Sequence, residues 1–177
     1  MTKNSGPKAT GMKLARAAVA SLLVMIGMGF AATASAQNEQ ERLIAFGREI
    51  FKTKATCQFC HRWDGNGDQG YGGNALSLRI TQLDRDQLLE IVKCGRPSTG
   101  MPYHDRQAYT DKRCYESTKA DLGEATPPGA NGWLNPREIE GVVDYVLLKI
   151  KNRGETTYEE CQEFWGTGTR QCEPWKK

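Results

Sequence analysis

Two cysteines three residues apart, followed at once by a histidine, constrain this chain more than any other feature. Cys57 and Cys60 frame Gln58 and Phe59, and His61 comes directly after the second cysteine. This spacing lets both thiols form thioethers to one porphyrin while the next residue places its imidazole on the iron. The motif therefore predicts one covalently attached c-type haem, bound by Cys57, Cys60 and His61.

Two other kinds of site use the same pair of thiols. A zinc site needs four ligands, but the other cysteines form no second Cys-x-x-Cys pair and the chain has only two histidines. A thioredoxin-like dithiol would lie in a βαβ surround, whereas this pair follows a predicted helix and precedes a glycine-rich loop over residues 64–73. The glycines of that loop are expected to let the backbone approach a flat macrocycle. Haem attachment is therefore favoured over both alternatives.

The first 36 residues are typical of a secretory signal peptide. Basic residues precede an apolar run over residues 17–30, and Ala34-Ser35-Ala36 provides a cleavage site. The run is short and no stop-transfer pattern follows it, so we expect cleavage before Gln37, a periplasmic protein, and no stable membrane span. The signal holds four of the 24 basic residues and none of the 21 acidic ones. The mature chain then has one more acidic than basic residue, which argues against nucleic-acid binding.

The remaining residues, 37–177, suit a single domain with an extension after residue 154. Four cysteines in this part lie outside the haem motif and allow three pairings. In an oxidising compartment such thiols rarely stay free, and proximity favours Cys94 with Cys114 and Cys161 with Cys172. The first disulfide would staple the long irregular stretch over residues 103–133.

Apolar residues at helical spacing predict three helices, and no alternating β pattern of useful length appears. The first is expected from about Glu39 to Lys52, with Asn38 as its N-cap. The second begins after Asp84 and stops at Gly95.

The third helix has the clearest start signal. Asn135, Pro136 and Glu138 stand at the cap, first and third positions, and Gly154 is its expected end. In the extension, Thr157 and Glu160 have the same spacing as a helix start.

Elimination points to a sixth ligand for the iron. Four of the five methionines belong to the signal sequence, so Met101 is the only one left in the mature chain. It lies between Gly100 and Pro102 in a polar loop, where an apolar side chain has little core to fill, so ligation is favoured. The rival ligand is His104, whose alternative role is that of a loop residue facing solvent.

These residues together resemble the class I monohaem cytochromes c over roughly residues 39–153. The resemblance rests on Gly47-x-x-x-Phe51, Cys57-x-x-Cys60-His61, Gly100-Met101-Pro102 and Tyr145. It implies an all-α class I cytochrome c fold of three or more helices around one haem, here with a long stapled loop and a C-terminal extension. The cytochrome c domain would span residues 37–154 and the extension residues 155–177.

The family also implies two contacts that can be examined in a structure. Its first and last helices cross with the glycine against the aromatic residue, which would bring Gly47 to Tyr145. Its haem motif is usually followed by a Gly-Pro whose carbonyl accepts the hydrogen bond of the ligating histidine. This chain has Gly72-Gly73-Asn74-Ala75-Leu76 instead, which leaves open what orients His61.

A haem whose axial positions are both filled offers no site to a substrate, so the expected role is that of a one-electron carrier and not an enzyme. A thioether ligand raises the reduction potential, which suits transfer from a dehydrogenase toward an oxidase or a larger cytochrome. Similarity to cytochromes that serve quinoprotein alcohol dehydrogenases suggests a PQQ-dependent dehydrogenase as the donor. The alternatives are a haem protein with an open or labile sixth position (a gas binder, sensor or peroxidase) and a fixed haem subunit of a larger oxidoreductase.

Overall fold

The computed structural model describes Met1 and residues 37–176, so the predicted signal peptide lies, apart from Met1, outside the described residues. The described chain is helical and contains no strand, which confirms the predicted all-α class. Its helices are α1 (residues 37–49, continued by a π-helical turn at Ile50–Lys54), α2 (Gln58–His61), α3 (Arg85–Cys94), α4 (Lys119–Leu122), α5 (Pro136–Tyr145, continued by a π-helical turn at Val146–Ile150) and α6 (Tyr158–Trp165). Short 3₁₀ turns follow α4 at Gly123–Ala125 and α6 at Arg170–Trp175.

The predicted start signals of α3, α5 and α6 are confirmed. The side chains of Asp84, Asn135 and Thr157 each accept a hydrogen bond from the backbone N–H three residues later. These bonds satisfy amide groups that have no partner inside the helix. Gly95 ends α3 at φ +67°, a backbone conformation that favours glycine.

Two helix ends differ from their predicted positions. Asn38 is itself helical and therefore does not cap α1, and the helix continues to Lys54 through its π-helical turn. The helix that starts at α5 ends at Ile150, where Lys151 turns to extended ψ, and not at Gly154. Both helices end in a π-helical turn, which apolar periodicity does not signal.

Helices α1 and α5 cross at a pair of glycines. A Cβ atom on Gly47 would lie 2.7 Å from Cβ of Tyr145 and would collide with the carbonyl oxygen of Gly141. A Cβ atom on Gly141 would lie 2.7 Å from the Phe46 ring. Because no side chain separates the two backbones, Phe51 and Tyr145 pack beside the crossing with ring centroids 5.6 Å apart. The predicted contact between Gly47 and Tyr145 is confirmed.

The main core surrounds this crossing and also includes part of the C-terminal segment, residues 154–177. Phe164 of α6 is buried in the core, with its ring edge-on to Phe51 at a centroid distance of 6.5 Å. Each large apolar side chain buried in this way contributes about 1.5–3 kcal/mol relative to exposure. The core residues that are buried are Ile50, Phe51, Ala55, Leu88, Leu134, Ile139, Val142, Val143, Tyr145, Val146, Ile150 and Phe164.

A second, smaller cluster lies under the long loop of residues 103–133. Both predicted disulfides are present, and Cys94–Cys114 stands at the centre of this cluster with Ala108 and Tyr109. The loop also contains α4, which begins at a Thr118–Asp121 capping box that we did not predict. A staple and a local helix therefore order a stretch without apolar periodicity. None of the described helices combines the length and apolar character needed to cross a bilayer.

Candidate functional site

The turn that carries the two thiols is a single turn of helix α2. The N–H of His61 donates to the carbonyl oxygen of Cys57 at 2.9 Å, which closes the turn. Cys57, Cys60 and His61 therefore occupy positions i, i+3 and i+4, which share one face of a helix. Thr56 enters the turn at φ +53°, a sharp reversal after α1. The structure thus brings the three predicted residues of the motif together.

The two cysteines of this turn differ from the other four in that they form no disulfide. Those four form the two disulfides, while Cys57 and Cys60 are free thiols. Cys57 packs against the apolar core, and this burial raises the pKa of its thiol to about 12. A thiol held in its protonated form is a poor redox nucleophile, since that role needs the thiolate. This disfavours the dithiol alternative, and the zinc alternative lacks ligands. No group of three or more metal-binding side chains occurs within the described chain.

Leu76 supplies the contact that orients His61. Its carbonyl oxygen lies 3.2 Å from Nδ1 of the imidazole, so Nδ1 carries the hydrogen and donates it. The other ring nitrogen, Nε2, is then the one with a lone pair to offer a metal, an arrangement typical of ligating histidines. The segment that lacks the family's proline therefore still provides an acceptor, three residues after the second of the paired glycines.

Burial also keeps His61 in the form that binds metals. Loss of solvation lowers the pKa of the ring, the hydrogen bond to Leu76 opposes this, and the positive charge of Arg96 lowers the pKa further. The imidazole is therefore neutral near pH 7. Arg96 also contacts the predicted sixth ligand, because its backbone N–H donates to the carbonyl oxygen of Met101 at 3.2 Å.

Met101 lies in a tight loop at the end of α3, and this axial loop, defined as residues 95–104, is fixed by its own backbone. The N–H of Met101 donates to the Thr99 hydroxyl at 3.2 Å. A Cβ atom on Gly95 would lie 2.7 Å from the Met101 carbonyl oxygen, so only glycine fits there. The methionine side chain is half-buried. The loop therefore has a fixed shape, as Gly100 and Pro102 predict.

Three groups fasten the base of the axial loop, and the sequence analysis found only one of them. The predicted Cys94–Cys114 disulfide joins the end of α3 to the long loop. The hydroxyl of Tyr109 donates to the Cys94 carbonyl at 2.6 Å, and that of Tyr115 donates to the Gly95 carbonyl at 2.8 Å. Both tyrosines have positive φ, near +61° and +51°, which is costly for such residues. No local pattern signals these bonds, since each spans 15 or 20 residues.

His104 is not the solvent-facing residue that we considered as its alternative role. It is 2% exposed and its Nδ1 lies 3.0 Å from the carbonyl oxygen of Gly132. The reason is that the backbone around it runs between α3 and the segment that precedes α5. Its N–H donates to Val92 at 3.2 Å, and its carbonyl accepts from Leu134 at 3.0 Å.

The glycines after the thiol motif lie close to the protein's own chain. A Cβ atom on Gly72 would lie 2.7 Å from Sγ of Cys60, and one on Gly70 would lie 2.6 Å from the Phe59 carbonyl oxygen. Gly67 has φ +80° and its space is closed by the carbonyl of Ala75. These glycines let the loop fold back onto α2, a role that we did not predict, and the expected approach to a macrocycle stays a prediction.

A buried arginine connects this glycine-rich loop to the C-terminal segment. Arg79 is 3% exposed and its guanidinium donates to the carbonyl oxygens of Asp64 at 3.1 Å and Gly154 at 2.6 Å. It also forms an ion pair with Glu160 at 3.0 Å. A buried cation needs such a complete set of partners. Sequence reasoning missed Arg79, because its partners lie 15 to 81 residues away.

An aromatic groove of about 280 Å³ lies on the outer face of α2. Phe59, inside the thiol motif, is 50% exposed, and Tyr71 is 98% exposed. Arg62, the one charged residue of the lining, is paired with the buried carboxylate of Asp64 at 3.2 Å. The lining residues are Gln58, Phe59, Arg62, Trp63, Gln69, Gly70, Tyr71 and Trp165. The groove is thus apolar in character and close to Cys60.

The donor set of this region fits a covalently bound haem. Two free thiols and one imidazole with a free Nε2 share the turn α2. Leu76, whose carbonyl holds His61, has an apolar side chain that is 69% exposed, a surface of the kind that a porphyrin covers. A thioether sulfur is available on the fixed axial loop. These groups are those that c-type haem needs.

Comparison with known proteins gives one match. The model of the family described as Cytochrome c matches residues 44–148, which is more than half of the chain and includes α2, the axial loop and most of α5 with its π-helical turn. No curated protein and no solved structure gives a significant match. The matched range ends before α6, so the C-terminal segment with Phe164 and Trp165 lies outside the family model.

Proposed function

Because the chain belongs to the cytochrome c family and so carries a covalently bound c-type haem, we propose that it is an exported one-electron carrier of the class I type. Cys57 and Cys60 hold the haem, and His61 and Met101 are its axial ligands. The observation that carries this assignment is the arrangement of α2, where two free thiols and an imidazole oriented by Leu76 share one turn.

The residues around the haem then have distinct tasks. When bound, the haem supplies an iron centre that accepts and releases one electron. The Leu76 carbonyl holds the His61 ring in one tautomer, which keeps Nε2 available. The fixed axial loop keeps the Met101 thioether in place, and a thioether favours the ferrous state. Filled axial positions leave no site for a substrate, which supports a carrier and not an enzyme.

The direction of transfer follows from the ligands. A methionine ligand raises the reduction potential relative to two nitrogen ligands, which suits acceptance of electrons from a dehydrogenase. We propose a periplasmic PQQ-dependent dehydrogenase as the donor and an oxidase or larger cytochrome as the acceptor. The predicted signal peptide supports this compartment, as do the two disulfides, which are typical of oxidising compartments.

The aromatic groove is the expected contact surface for the electron donor. Its lining contains no acidic residue, and its one cation is already paired with Asp64. The matching donor surface is therefore an uncharged, apolar projection. Docking of this kind depends little on ionic strength, unlike docking by charged patches.

Ligand binding tests the carrier against the rival with an open sixth position. We expect the ferrous holoprotein at neutral pH to bind carbon monoxide slowly and weakly, because Met101 occupies the site. A ferric near-infrared charge-transfer band would report the methionine bond to iron. Rapid carbon monoxide binding by the native protein, with no such band, would favour a gas binder, sensor or peroxidase. Gel filtration of the native extract separates a free carrier from a fixed subunit.

The donor surface has its own test. Reduction by a PQQ-dependent dehydrogenase is followed by stopped-flow absorbance at low and high salt. We expect Tyr71→Ala to slow the bimolecular rate several-fold at both salt concentrations, with an unchanged reduction potential. Ile80→Ala, an exposed apolar residue outside the groove lining, is the matched control. A bimolecular rate that falls steeply with salt and is unchanged in Tyr71→Ala would show that the groove is not the donor surface.

A further inference from the structure

His104 is the last residue of the axial loop and is buried, and its polar groups bind two other segments. Its backbone N–H donates to Val92 of α3, and its carbonyl accepts from the N–H of Leu134 just before α5. The side chain adds a third bond, from Nδ1 to the carbonyl oxygen of Gly132 at 3.0 Å. His104 thus binds the axial loop both to α3 and to the segment that precedes α5.

The ring is a hydrogen-bond donor in this contact. A carbonyl oxygen can only accept, so the hydrogen resides on Nδ1. Burial lowers the pKa of the imidazole, while the bond to Gly132 opposes that shift. The neutral ring therefore stays in one tautomer, and loss of its donor would leave the half-buried Gly132 carbonyl without this partner.

Gly132 extends the connection to the thiol-bearing turn. A Cβ atom on Gly132 would collide with the carbonyl oxygen of Lys54 and lie 3.9 Å from Cα of Ala55. Lys54 is the last residue of the π-helical turn that ends α1, three residues before Cys57. The loop that carries Met101 is therefore connected, through His104 and Gly132, to the chain that presents Cys57.

We propose that His104 is a positioning residue, which fixes the axial loop against the Cys57 side of the site by donating from Nδ1 to the Gly132 carbonyl. The proposal rests on the proposed function, in which Met101 is the ligand on that loop. Its effect is to keep the thioether bound to iron by making loop displacement costly. It also means that the two ligand-bearing parts of the site are joined by a contact between residues far apart in sequence.

The test compares two variants of the holoprotein. His104→Leu removes the donor and keeps an apolar side chain of similar bulk, whereas His104→Asn keeps an amide donor near the position of Nδ1. Binding of imidazole to the ferric protein measures how readily the loop releases Met101. We expect His104→Leu to bind imidazole roughly tenfold more tightly and to show a weaker near-infrared band. His104→Asn should stay within about twofold of the wild type on both measures.

A measurement on the wild type covers the case in which the leucine variant does not fold. In the reduced holoprotein, NMR should show the Nδ1 proton of His104 as a slowly exchanging imidazole resonance, since the donor is buried and bonded. A rapidly exchanging Nδ1 proton would overturn the proposal. Equal imidazole affinity in His104→Leu and the wild type would also overturn it. So would a His104→Asn variant that binds imidazole as tightly as His104→Leu does.

Failure of this inference can be told apart from failure of the proposed function. If Met101→Ala loses the near-infrared band while His104→Leu keeps normal imidazole affinity, Met101 is the ligand and only the positioning role of His104 is wrong. If Met101→Ala keeps the native spectrum while both His104 variants lose it, His104 is itself the ligand. That result overturns the positioning role and the assignment of Met101 together.

Discussion

The turn α2 and the axial loop each present a proposed ligand, but they are held in different ways. Cys57, Cys60 and His61 lie within five consecutive residues, and the bond that closes their turn spans four. Met101 depends on a disulfide, two tyrosine hydroxyls and the contact of His104 with Gly132, which span 15 to 28 residues. The backbone of a single turn is fixed by local geometry, and only the ring orientation of His61 depends on a distant residue, Leu76. A ligand on a loop is fixed only when the rest of the domain has folded.

The largest expected effect concerns the local side of this comparison. Replacing both thiols, Cys57→Ala with Cys60→Ala, should abolish covalent haem retention, because each thiol supplies one thioether. Haem staining after denaturing electrophoresis measures this, and each single variant should keep a reduced signal. Cys161→Ser with Cys172→Ser is the control, since those sulfurs are bonded to each other and should leave staining intact. Full staining in the double thiol variant would refute covalent attachment through α2.

For the axial loop, Met101→Ala removes the proposed iron ligand and leaves the two thiols that attach the haem unchanged. We expect staining to persist, the near-infrared band to vanish and carbon monoxide to bind readily. The reduction potential should fall by on the order of 100 mV, within the ~0.8 V range that axial ligands span. Spectroelectrochemical titration measures the fall. An unchanged potential and band would show that Met101 is not bound to the iron.

The two disulfides offer a matched pair for testing how the loop is held. Removing Cys94–Cys114 by serine substitution should cost roughly 3 kcal/mol of unfolding free energy in the chain-entropy model, and removing Cys161–Cys172 slightly less. Chemical denaturation measures both. Only the first should also weaken the near-infrared band, because only that disulfide ends at the base of the axial loop. Equal loss of the band in both variants would mean that global stability, and not the local staple, holds Met101.

The smallest effect is expected at the salt bridge between Lys54 and Glu138, whose atoms lie 2.6 Å apart beside the end of α1. The Lys54 ammonium lowers the pKa of the Glu138 carboxyl below its ordinary value of 4.5. A lowered pKa in the folded state stabilises the protein above pH 4.5, and the contribution is lost as the pH falls through the lowered value. Since Lys54 is 45% exposed, the effect should stay below about 1 kcal/mol.

Glu138→Gln tests this by denaturation at several pH values. The difference from the wild type should be present at pH 6 and disappear near pH 3, with no change in the haem spectrum at either pH. A constant difference across that range would show that it does not come from the ionised Glu138 carboxylate, because the charge of that group is lost at low pH.

Local signals predicted three of the four expected N-caps and failed at Asn38, which is itself helical. The capping residues Asp84, Asn135 and Thr157 all stand where their spacing places them, because a cap involves only the next three residues. The disulfides followed from proximity. The contact of Gly47 with Tyr145 is different, since it came from the family resemblance and not from any local pattern.

The missed contacts share a physical reason. In each of them a side chain donates a hydrogen bond to a backbone carbonyl, and almost any residue can provide such an acceptor. The donors are His61, whose acceptor is Leu76, and Tyr109, Tyr115 and Arg79. A hydrogen bond to a carbonyl 15 or more residues away therefore leaves no pattern in the sequence, however important it is in the fold. His104 was placed in solvent because its neighbours are polar, but the burial of a loop depends on what the rest of the chain lays over it.

The bonds of Arg79 have a consequence for how the molecule comes apart. Its guanidinium binds Asp64 in the glycine-rich loop, and Gly154 and Glu160 in the C-terminal segment. In the same segment, the Phe164 ring packs against Phe51. Local unfolding of the residues after 154 would leave the buried Arg79 guanidinium without partners. It would also expose the apolar core to water. We therefore expect α6 to show amide-exchange protection close to that of α5, and proteases to cleave this segment only when the whole domain unfolds.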